Sequence, residues 1–240
     1  MGVGDLSVTA TLVAIAAMAV GSAFQAALGI GMALFVVPIL APVDPSFIPG
    51  PMLLAGSLLT AMTAHAERDA IDTKGMGASL VGLAAGTVTG AITLRLAAGH
   101  DVNRVFGVLL LVAVLISVFG KPVAMSARNL MLAAGASGVM GTMIGVHGPA
   151  MSLVFQGTDP KTARAMLGAF FTVAYLGAVV ALAAVGLFGE AAMVRSVILL
   201  PGVVAGLALA PLTRRLVDRR RLRAAILVIA AASGVLLIVR

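Results

Sequence analysis

The stretch Gly145-Val146-His147-Gly148-Pro149 decides how this chain folds, because it interrupts a long uncharged apolar run, Leu130–Phe155. A second long run, Val8–Leu40, is interrupted in the same way by Gly29-Ile30-Gly31. The 33 residues of that run would form a helix of about 50 Å, whereas the hydrocarbon core of a bilayer is about 30 Å thick. Glycine and proline at membrane depth are tolerated only where protein or a water-filled cavity satisfies the freed backbone. Both runs are therefore predicted to be broken helices or hairpins.

The composition places these runs in a lipid bilayer. Of the 240 residues, 61% are hydrophobic and only 10% are charged, and the mean hydropathy is +1.14. Soluble domains carry about 25% charged residues, so this chain has too little polar surface for a fold in water. The 16 Lys and Arg residues stand between the apolar runs instead of on one face, which argues against nucleic-acid binding. The absence of cysteine excludes disulfides and thiolate metal sites.

Charged residues and Gly/Pro clusters divide the chain into eight apolar segments, which predict an all-α polytopic membrane protein with a single transmembrane domain over residues 1–240. Most segments approach the roughly 20 residues that one membrane crossing needs. No basic residue precedes the first segment, so we expect no cleaved signal peptide. The segments are Val8–Leu40, Phe47–Ala64, Met76–Leu94, Val105–Gly120, Leu130–Phe155, Ala165–Phe188, Val197–Leu212 and Ala224–Val239.

The order of the matching motifs predicts an internal repeat of roughly 120 residues, with halves at roughly 5–120 and 123–240. Nearly constant offsets along the chain carry this prediction, since each single match is short. The matched pairs are Gly29 and Gly145 (116 residues apart), Asp44-Pro45 and Asp159-Pro160 (115), Gly82 and Gly202, and Gly86 and Gly206 (both 120).

The basic residues distinguish two topologies. If every segment crosses the membrane once and the N-terminus is outside, ten of the 16 Lys and Arg residues lie inside and six outside. If the two Gly-broken segments are hairpins that return to their starting side, twelve lie inside and four outside. The positive-inside rule favours the hairpin topology. It places both termini outside and makes the halves antiparallel, as in the inverted repeats of many secondary transporters.

His147 is the one ionisable residue within Leu130–Phe155. Ionisable side chains at such a depth are rare and usually functional. The neighbouring glycines leave room for a ligand, and an imidazole can take up a proton near neutral pH when an anion arrives. We therefore predict that His147 belongs to a substrate site. The alternative is a neutral ring that bonds a nearby backbone carbonyl.

The two glycine-rich breaks are predicted to form the rest of the site. Helix N-termini and exposed N–H groups favour anions without a buried cation. This makes Gly29, Gly31, Gly145 and Gly148 candidate substrate-binding positions. Gln25, one turn before the first break, can donate its amide to an oxyanion; the alternative for this side chain is a bond to a neighbouring helix.

Ser57, Thr172 and Arg164 are further candidates for the substrate site. Ser57 and Thr172 are 115 residues apart and so occupy corresponding positions in the repeat. Hydroxyl groups in membrane helices usually bond the carbonyl one turn earlier, so packing is the alternative for both. Arg164 is either a cation in a vestibule or, as its position at a segment start favours, an anchor at the membrane surface. The run Arg214–Arg223 is expected to be a solvated loop that faces anionic lipid.

Enzymatic activity is not expected. All nine carboxylates lie outside the segment centres, and HExxH, GxSxG and P-loop motifs are absent. Of the three histidines, His65 and His100 stand at segment ends. An intramembrane hydrolase would need a catalytic dyad that these residues do not supply. No cofactor or metal site is predicted, and a proton relay built on carboxylates is disfavoured.

The chain resembles the TauE/SafE family, also called the 4-toluene sulfonate uptake permease family, over almost its whole length. The resemblance rests on the two glycine-rich breaks, Ala55-Gly56-Ser57-Leu58, the loop Glu67–Asp72, Leu200-Pro201-Gly202 and the Arg-rich stretch before the last segment. Met32 departs from the pattern, because many relatives carry a third glycine there. His147 departs as well, since it replaces the central glycine of the second copy. The resemblance implies transport of sulfite, sulfonates and related organic anions.

Residues and resemblance together predict a secondary transporter of small organic anions in a bacterial-type inner membrane, with a sulfonate or sulfite-like oxyanion as the implied substrate. The anion would bind between the two broken segments, and alternating access would move one repeat past the other. Its predicted partners are this anion and the lipid bilayer, and the many small residues permit a homodimer. Two alternatives stay open: an anion channel, and a membrane accessory subunit that binds no anion.

Overall fold

A computed structural model of the chain describes residues 7–29, 32–71, 76–97, 102–216 and 218–239. Within these ranges the regular structure is entirely helical, as the composition predicts. Two short 3₁₀ turns, Pro45–Phe47 and Arg68–Ala70, flank the third helix. The α-helices are α1 (Val8–Leu28), α2 (Met32–Val43), α3 (Gly50–Ala66), α4 (Met76–Ala97), α5 (Val102–Phe119), α6 (Ala127–Ile144), α7 (Gly148–Val154), α8 (Pro160–Ala184), α9 (Glu190–Leu216) and α10 (Arg219–Val239).

Five helices of the described chain, α1, α4, α8, α9 and α10, are long and apolar enough to cross a membrane. α2 and α5 are apolar but shorter. These helices confirm the prediction of a multi-pass all-α membrane protein, although their ends differ from the predicted segment ends. α9 begins at Glu190, well before the predicted start at Val197, because Arg195 is buried in the fold instead of marking a loop.

Both long apolar runs break at the predicted glycines. α1 ends at Gly29 with a φ of 84°, and α6 ends at Gly145 with a φ of 80°. Glycine adopts a positive φ at little cost, whereas a side chain would be strained there. In each case the glycine N–H closes the helix by donating to a carbonyl one turn earlier, that of Gln25 or Gly141. Gly31, the other predicted site glycine of the first break, lies outside the described residues.

The second piece of each broken run turns back against the first piece. Met32, at the start of α2, packs on α1, where its sulfur lies 3.9 Å from the hydroxyl oxygen of Ser22. In the other half, the Ser137 hydroxyl of α6 donates a hydrogen bond of 2.7 Å to the backbone carbonyl of His147. The His147 ring also lies directly over Gly141 of α6. Each run therefore makes a hairpin-like turn at its break.

Two helix pairs are parallel and are held by glycines that face backbone carbonyl groups. α4 packs on α6 in this way, and α9 packs on α1. Residue numbers rise together along both pairs, so the helices of each pair point in the same direction. Small residues permit this close approach, which is a common basis of helix association in lipid. The contacting pairs are Gly82 with Met131, Gly86 with Gly135, Gly202 with Ile15, and Gly206 with Ala19.

Two other helix pairs are antiparallel. The end of α3 lies beside the start of α8, where Glu67 forms an ion pair with Arg164. The start of α3 lies beside the end of α8, where Gly50 faces the ring of Phe188. α5 and α10 form the second antiparallel pair, because the end of each helix contacts the start of the other. These contacts are Ser117 with Arg223 and Gly107 with Gly234.

Gly86→Ala should destabilise the fold, because the added methyl group would overlap the carbonyl group of Gly135 and push α4 away from α6. Overpacking of this kind typically costs about 1–3 kcal/mol. We expect the midpoint of thermal unfolding in detergent to fall by about 2–4 °C for each kcal/mol lost. Gly77→Ala on the same helix is the matched control, since no neighbouring described residue lies within 4 Å of its added methyl group. Equal unfolding midpoints for Gly86→Ala and Gly77→Ala would contradict the close contact between α4 and α6.

Candidate functional site

A cavity of about 320 Å³ lies between the two helix breaks. α1 and α2 form one side of it, and α7 with the second break forms another. α5, α8 and α10 complete the wall, so the cavity occupies the place where the sequence predicts the anion site. The lining residues are Gln25, Ala33, Leu34, Ser117, Val146, Gly148, Pro149, Ser152, Gln156, Phe171, Tyr175, Arg223, Ile226 and Leu227.

Gln25 and Gly148 are the predicted site residues that line this cavity. The Gln25 side chain is buried and interacts with the hydroxyl group of Tyr175, which also lines the cavity. α8 holds Tyr175 in place by stacking its ring on that of Phe171, with the ring centroids 5.9 Å apart. An amide and a phenolic hydroxyl therefore meet at the cavity wall, and both groups can donate hydrogen bonds to an anion.

The side chain of His147 lies behind the cavity wall. It is 0% exposed, its ring lies over Gly141, and its centroid is 5.0 Å from that of the Tyr175 ring. The carbonyl of Gly145 interacts with the imidazole electrostatically, but no group of the described chain forms a well-aligned hydrogen bond to either ring nitrogen. The residues on either side of His147 line the cavity. The imidazole is therefore linked to the cavity only indirectly, by its contact with the Tyr175 ring, which lines the cavity.

Arg164 and Gly29 meet at a second cavity of about 10 Å³, which shares Gln25 with the larger one. The Arg164 side chain packs across Gly29, where a methyl group would meet it at 2.9 Å. Its guanidinium forms an ion pair of 2.8 Å with Glu67, and the two side chains are 16% and 15% exposed. The charge of Arg164 is therefore compensated by a carboxylate. Because Glu67 is 97 residues away in the chain, no local pattern points to this pair.

The hydroxyl groups of Ser57 and Thr172 form hydrogen bonds within their own helices. Ser57 donates to the carbonyl of Leu54 at 2.7 Å, and Thr172 donates to the carbonyl of Gly168 at 2.8 Å. The Thr172 hydroxyl also lies 3.0 Å from that of Thr60, which links α8 to α3. These bonds agree with the packing alternative, and neither Ser57 nor Thr172 is among the residues that line the larger cavity.

The described arginine side chains of Arg214–Arg223 are exposed, as expected of a solvated run, but most of the run is helix instead of loop. α9 and α10 extend into this run from its two ends. Arg214 donates a hydrogen bond of 2.7 Å to the carbonyl of Ala26. Arg223 donates one of 2.6 Å to the carbonyl of Ser117 and lines the larger cavity. The two guanidinium groups thus satisfy carbonyl groups near the C-terminal ends of α1 and α5, which lack helical partners.

Sequence reasoning also missed four uncharged polar residues of the cavity wall, Tyr175, Ser117, Ser152 and Gln156. Tyr175 is the only tyrosine of the chain, and its rarity inside an apolar segment is the one signal that pointed to it. Ser152 and Gln156 carry no such signal, because single polar residues are common near the ends of membrane segments. They reach the cavity because α7 turns back at the second break.

The chemistry of the cavity wall suits an anion. Among the described residues that line it, Arg223 is the only charged one, and none is a carboxylate. Hydrogen-bond donors of Gln25, Gln156 and Tyr175 stand on the same wall. In the described part of the chain, no group of three or more His, Cys, Asp or Glu residues is placed to hold a metal ion. The described lining residues therefore offer an anion one cation and several donors, with no opposing charge.

The chain also matches a known protein family. The family model described as "Sulfite exporter TauE/SafE" matches residues 13–237, nearly the whole chain. No curated protein and no solved structure matches the chain. Both helix breaks and every residue that lines the larger cavity lie within the matched range.

Proposed function

Because the chain belongs to the sulfite exporter TauE/SafE family, we propose that it is a secondary transporter that moves small organic anions across a bacterial-type inner membrane. Sulfonates and sulfite-like oxyanions are the proposed substrates. The observation that carries the proposal is the cavity between the two helix breaks, whose described lining residues include hydrogen-bond donors and one arginine but no carboxylate. A cavity lined by one sign of charge concentrates ligands of the opposite sign.

The helix contacts support an inverted repeat in which α1–α5 correspond to α6–α10. Under this correspondence, the packing of α4 on α6 is equivalent to the packing of α9 on α1. Gly82 contacts Met131, and its counterpart Gly202 contacts Ile15. Ile15 precedes Met131 by 116 residues, which is also the offset between the two helix breaks. The same contact is therefore made twice, by corresponding residues of the two halves.

The antiparallel pairs support hairpins at the two breaks. If every apolar segment crossed the membrane once, α3 and α8 would point in the same direction. Glu67 would then lie on the opposite side of the membrane from Arg164, yet these residues form an ion pair. With hairpins at both breaks they lie on the same side. By the positive-inside rule this side is the cytoplasm, and both termini are outside.

The proposed mechanism is alternating access, which an inverted repeat with two hairpins would support. The anion binds in the cavity, where the Gln25 amide, the backbone of Gly148 and the Tyr175 hydroxyl group line the wall. One half then rocks against the other about the glycine breaks, as in other transporters built from inverted repeats. The side chains of His147, Ser57, Thr172 and Arg164 are not among those that line the larger cavity, and their proposed contribution to the site comes as the halves rearrange.

Gln25→Leu should lower anion transport by at least about tenfold, because a hydrogen bond to a charged group is worth about 1.5–3 kcal/mol. The measurement is uptake of a radiolabelled sulfonate into proteoliposomes that contain the purified protein. Asn129→Leu is the matched control, since this amide is exposed and bonds the Ala124 carbonyl outside the cavity. Equal transport by the two variants would count against the cavity as the site.

The same preparation separates a carrier from the other two classes of protein. Conductance far above the turnover of a carrier, recorded in a planar bilayer, would identify a channel. A wild-type protein whose unfolding temperature does not respond to a panel of sulfonates and carboxylates, and which moves none of them, would be an accessory subunit. Either outcome would contradict the proposed function.

A further inference from the structure

The ion pair between Glu67 and Arg164 joins the two predicted halves of the chain, because Glu67 follows the last residue of α3 and Arg164 lies in the first turns of α8. Nε and Nη2 of Arg164 donate to the same oxygen of Glu67, Oε1, at 3.0 and 2.8 Å. The other oxygen, Oε2, is buried and has no hydrogen-bond partner among the described residues. The carboxylate therefore keeps one oxygen that can carry a proton.

Arg164 also lies next to the cavity between the helix breaks. The second cavity, of about 10 Å³, is lined by Arg164 together with Gln25 and Phe171, and the last two residues line the larger cavity as well. The Arg164 side chain packs across Gly29 at the first break. Because Arg164 contacts Glu67 and borders on the space beside Gln25, a bound anion and Glu67 compete for its guanidinium.

We infer that Glu67 binds a proton that moves together with the transported anion, so that the protein is a symporter of an anion and a proton. The inference rests on the proposed function and goes beyond it by naming the coupling ion and its site. The sequence disfavoured a carboxylate relay because no carboxylate lies at the centre of an apolar segment. The fold instead brings one to the edge of the site, where its side chain is only 15% exposed.

An exchange of partners at Arg164 couples the two ions. Glu67 and Arg164 belong to different halves, so a movement of one half against the other separates them. Once Arg164 turns to the anion, Glu67 is left without a cation, and a carboxylate buried without a partner takes up a proton because the neutral form is less costly to bury. The proton comes from water and forms an O–H bond at Oε2, while no bond of the anion changes. When the anion leaves, Arg164 returns to Glu67 and the proton is released to water.

The anion and the proton therefore travel in the same direction, since each is bound while the other is present. For an anion with one negative charge, this transport carries no net charge across the membrane. A pH gradient should then drive accumulation of the anion, whereas a membrane potential alone should not.

The other charged and titratable groups around Glu67 make different contacts. Arg68 donates a hydrogen bond of 3.2 Å to Nε2 of His65 on the exposed side of the same turn, and Asp69 is exposed. His147, which also lies near the cavity, is 0% exposed and belongs to the second break. Further charges on the described helices around this pair are Asp159 and Lys161 of α8, Arg214 and Arg215 of α9, and Arg95 of α4.

Uptake of radiolabelled methanesulfonate into proteoliposomes of the full chain tests the coupling. A sulfonate stays ionised near neutral pH, so a pH gradient cannot carry it through the lipid as a neutral acid. With the membrane potential clamped to zero, an outer solution more acidic by about one pH unit should concentrate the anion about tenfold inside. With equal pH on both sides, a pH-sensitive dye in the lumen should report acidification when the anion is added.

Two failures of this experiment have different meanings. Uptake of methanesulfonate with neither pH response would overturn the proton coupling and leave the proposed function in place. A wild-type protein that moves neither methanesulfonate nor any other sulfonate would overturn the proposed function as well.

Glu67→Gln tests the residue assignment, because its neutral amide has the shape of the protonated carboxyl group but cannot titrate. Accumulation driven by the pH gradient should fall from about tenfold to none, while exchange of labelled for unlabelled methanesulfonate should remain measurable. Glu67→Asp keeps a carboxyl group and should restore part of the accumulation. Asp69→Asn is the matched control, since it removes an exposed carboxylate two residues away. Equal accumulation by Glu67→Gln and the wild type, or loss of exchange as well, would overturn the role of Glu67.

Discussion

A cysteine at position 69 and a cysteine at position 161 should react from the same side of the membrane, the cytoplasmic side. The chain has no cysteine of its own, so Asp69→Cys and Lys161→Cys each carry a single thiol. The physical reason is the ion pair between Glu67 and Arg164, which holds the end of α3 beside the start of α8. If every apolar segment crossed the membrane once, position 69 would lie outside and position 161 inside.

Labelling of intact cells with a membrane-impermeant maleimide measures the sidedness directly. Neither thiol should react until the cells are permeabilised, so the expected effect is all or none. Glu190→Cys at the start of α9 is the control and should react in intact cells, because it follows the crossing made by α8. Reaction of Asp69→Cys in intact cells, with Lys161→Cys protected, would contradict hairpins at the breaks and with them the inverted repeat.

His147→Phe should lower anion transport by at least about tenfold, the effect of losing one hydrogen bond to a charged group. The variant keeps a ring between Gly141 and Tyr175, where the imidazole is 0% exposed. It removes both nitrogen atoms, so it can neither donate a hydrogen bond nor take up a proton when the anion binds. His147→Ala should abolish transport too, but it also leaves a void, and voids of this size typically cost about 2–5 kcal/mol.

Proteoliposome uptake of a sulfonate, with thermal unfolding of each variant in parallel, separates binding from packing. Phe170→Leu is the control, because it alters a buried ring on α8 that does not line the cavity. A loss of transport in His147→Phe at an unchanged unfolding temperature would support the substrate site. Transport at the wild-type rate would remove His147 from the site and leave it a packing role between α6 and α8.

The helix breaks could be predicted because they follow from local properties of the chain. A run of 33 apolar residues is too long for one helix in a hydrocarbon core of about 30 Å. Gly29 and Gly145 then adopt the positive φ that ends α1 and α6. Gln25 could be named for the same reason, since it lies one turn before the first break and its side chain points into the space that the break opens.

The rest of the cavity wall could not be predicted in this way. Tyr175 reaches the cavity only because α8 packs against the second break, where its ring meets that of His147. Arg223 stands in a run of arginines, and the positive-inside rule accounts for such a run without any binding site. Its place at the cavity depends on the antiparallel packing of α10 against α5, which the run itself does not encode.

By itself, the sequence determined that lipid is the solvent, that the chain is helical, where two helices break, and that hairpins fit the charge distribution best. These properties follow from composition, run length and the sidedness of charges, which are all counted along the chain. Only the tertiary structure decided which polar groups share a cavity, that Arg164 is compensated by Glu67, and that Arg223 is held by a carbonyl instead. The reason is that the partners in these contacts are 97 and 106 residues apart, and the packing of whole helices brings them together.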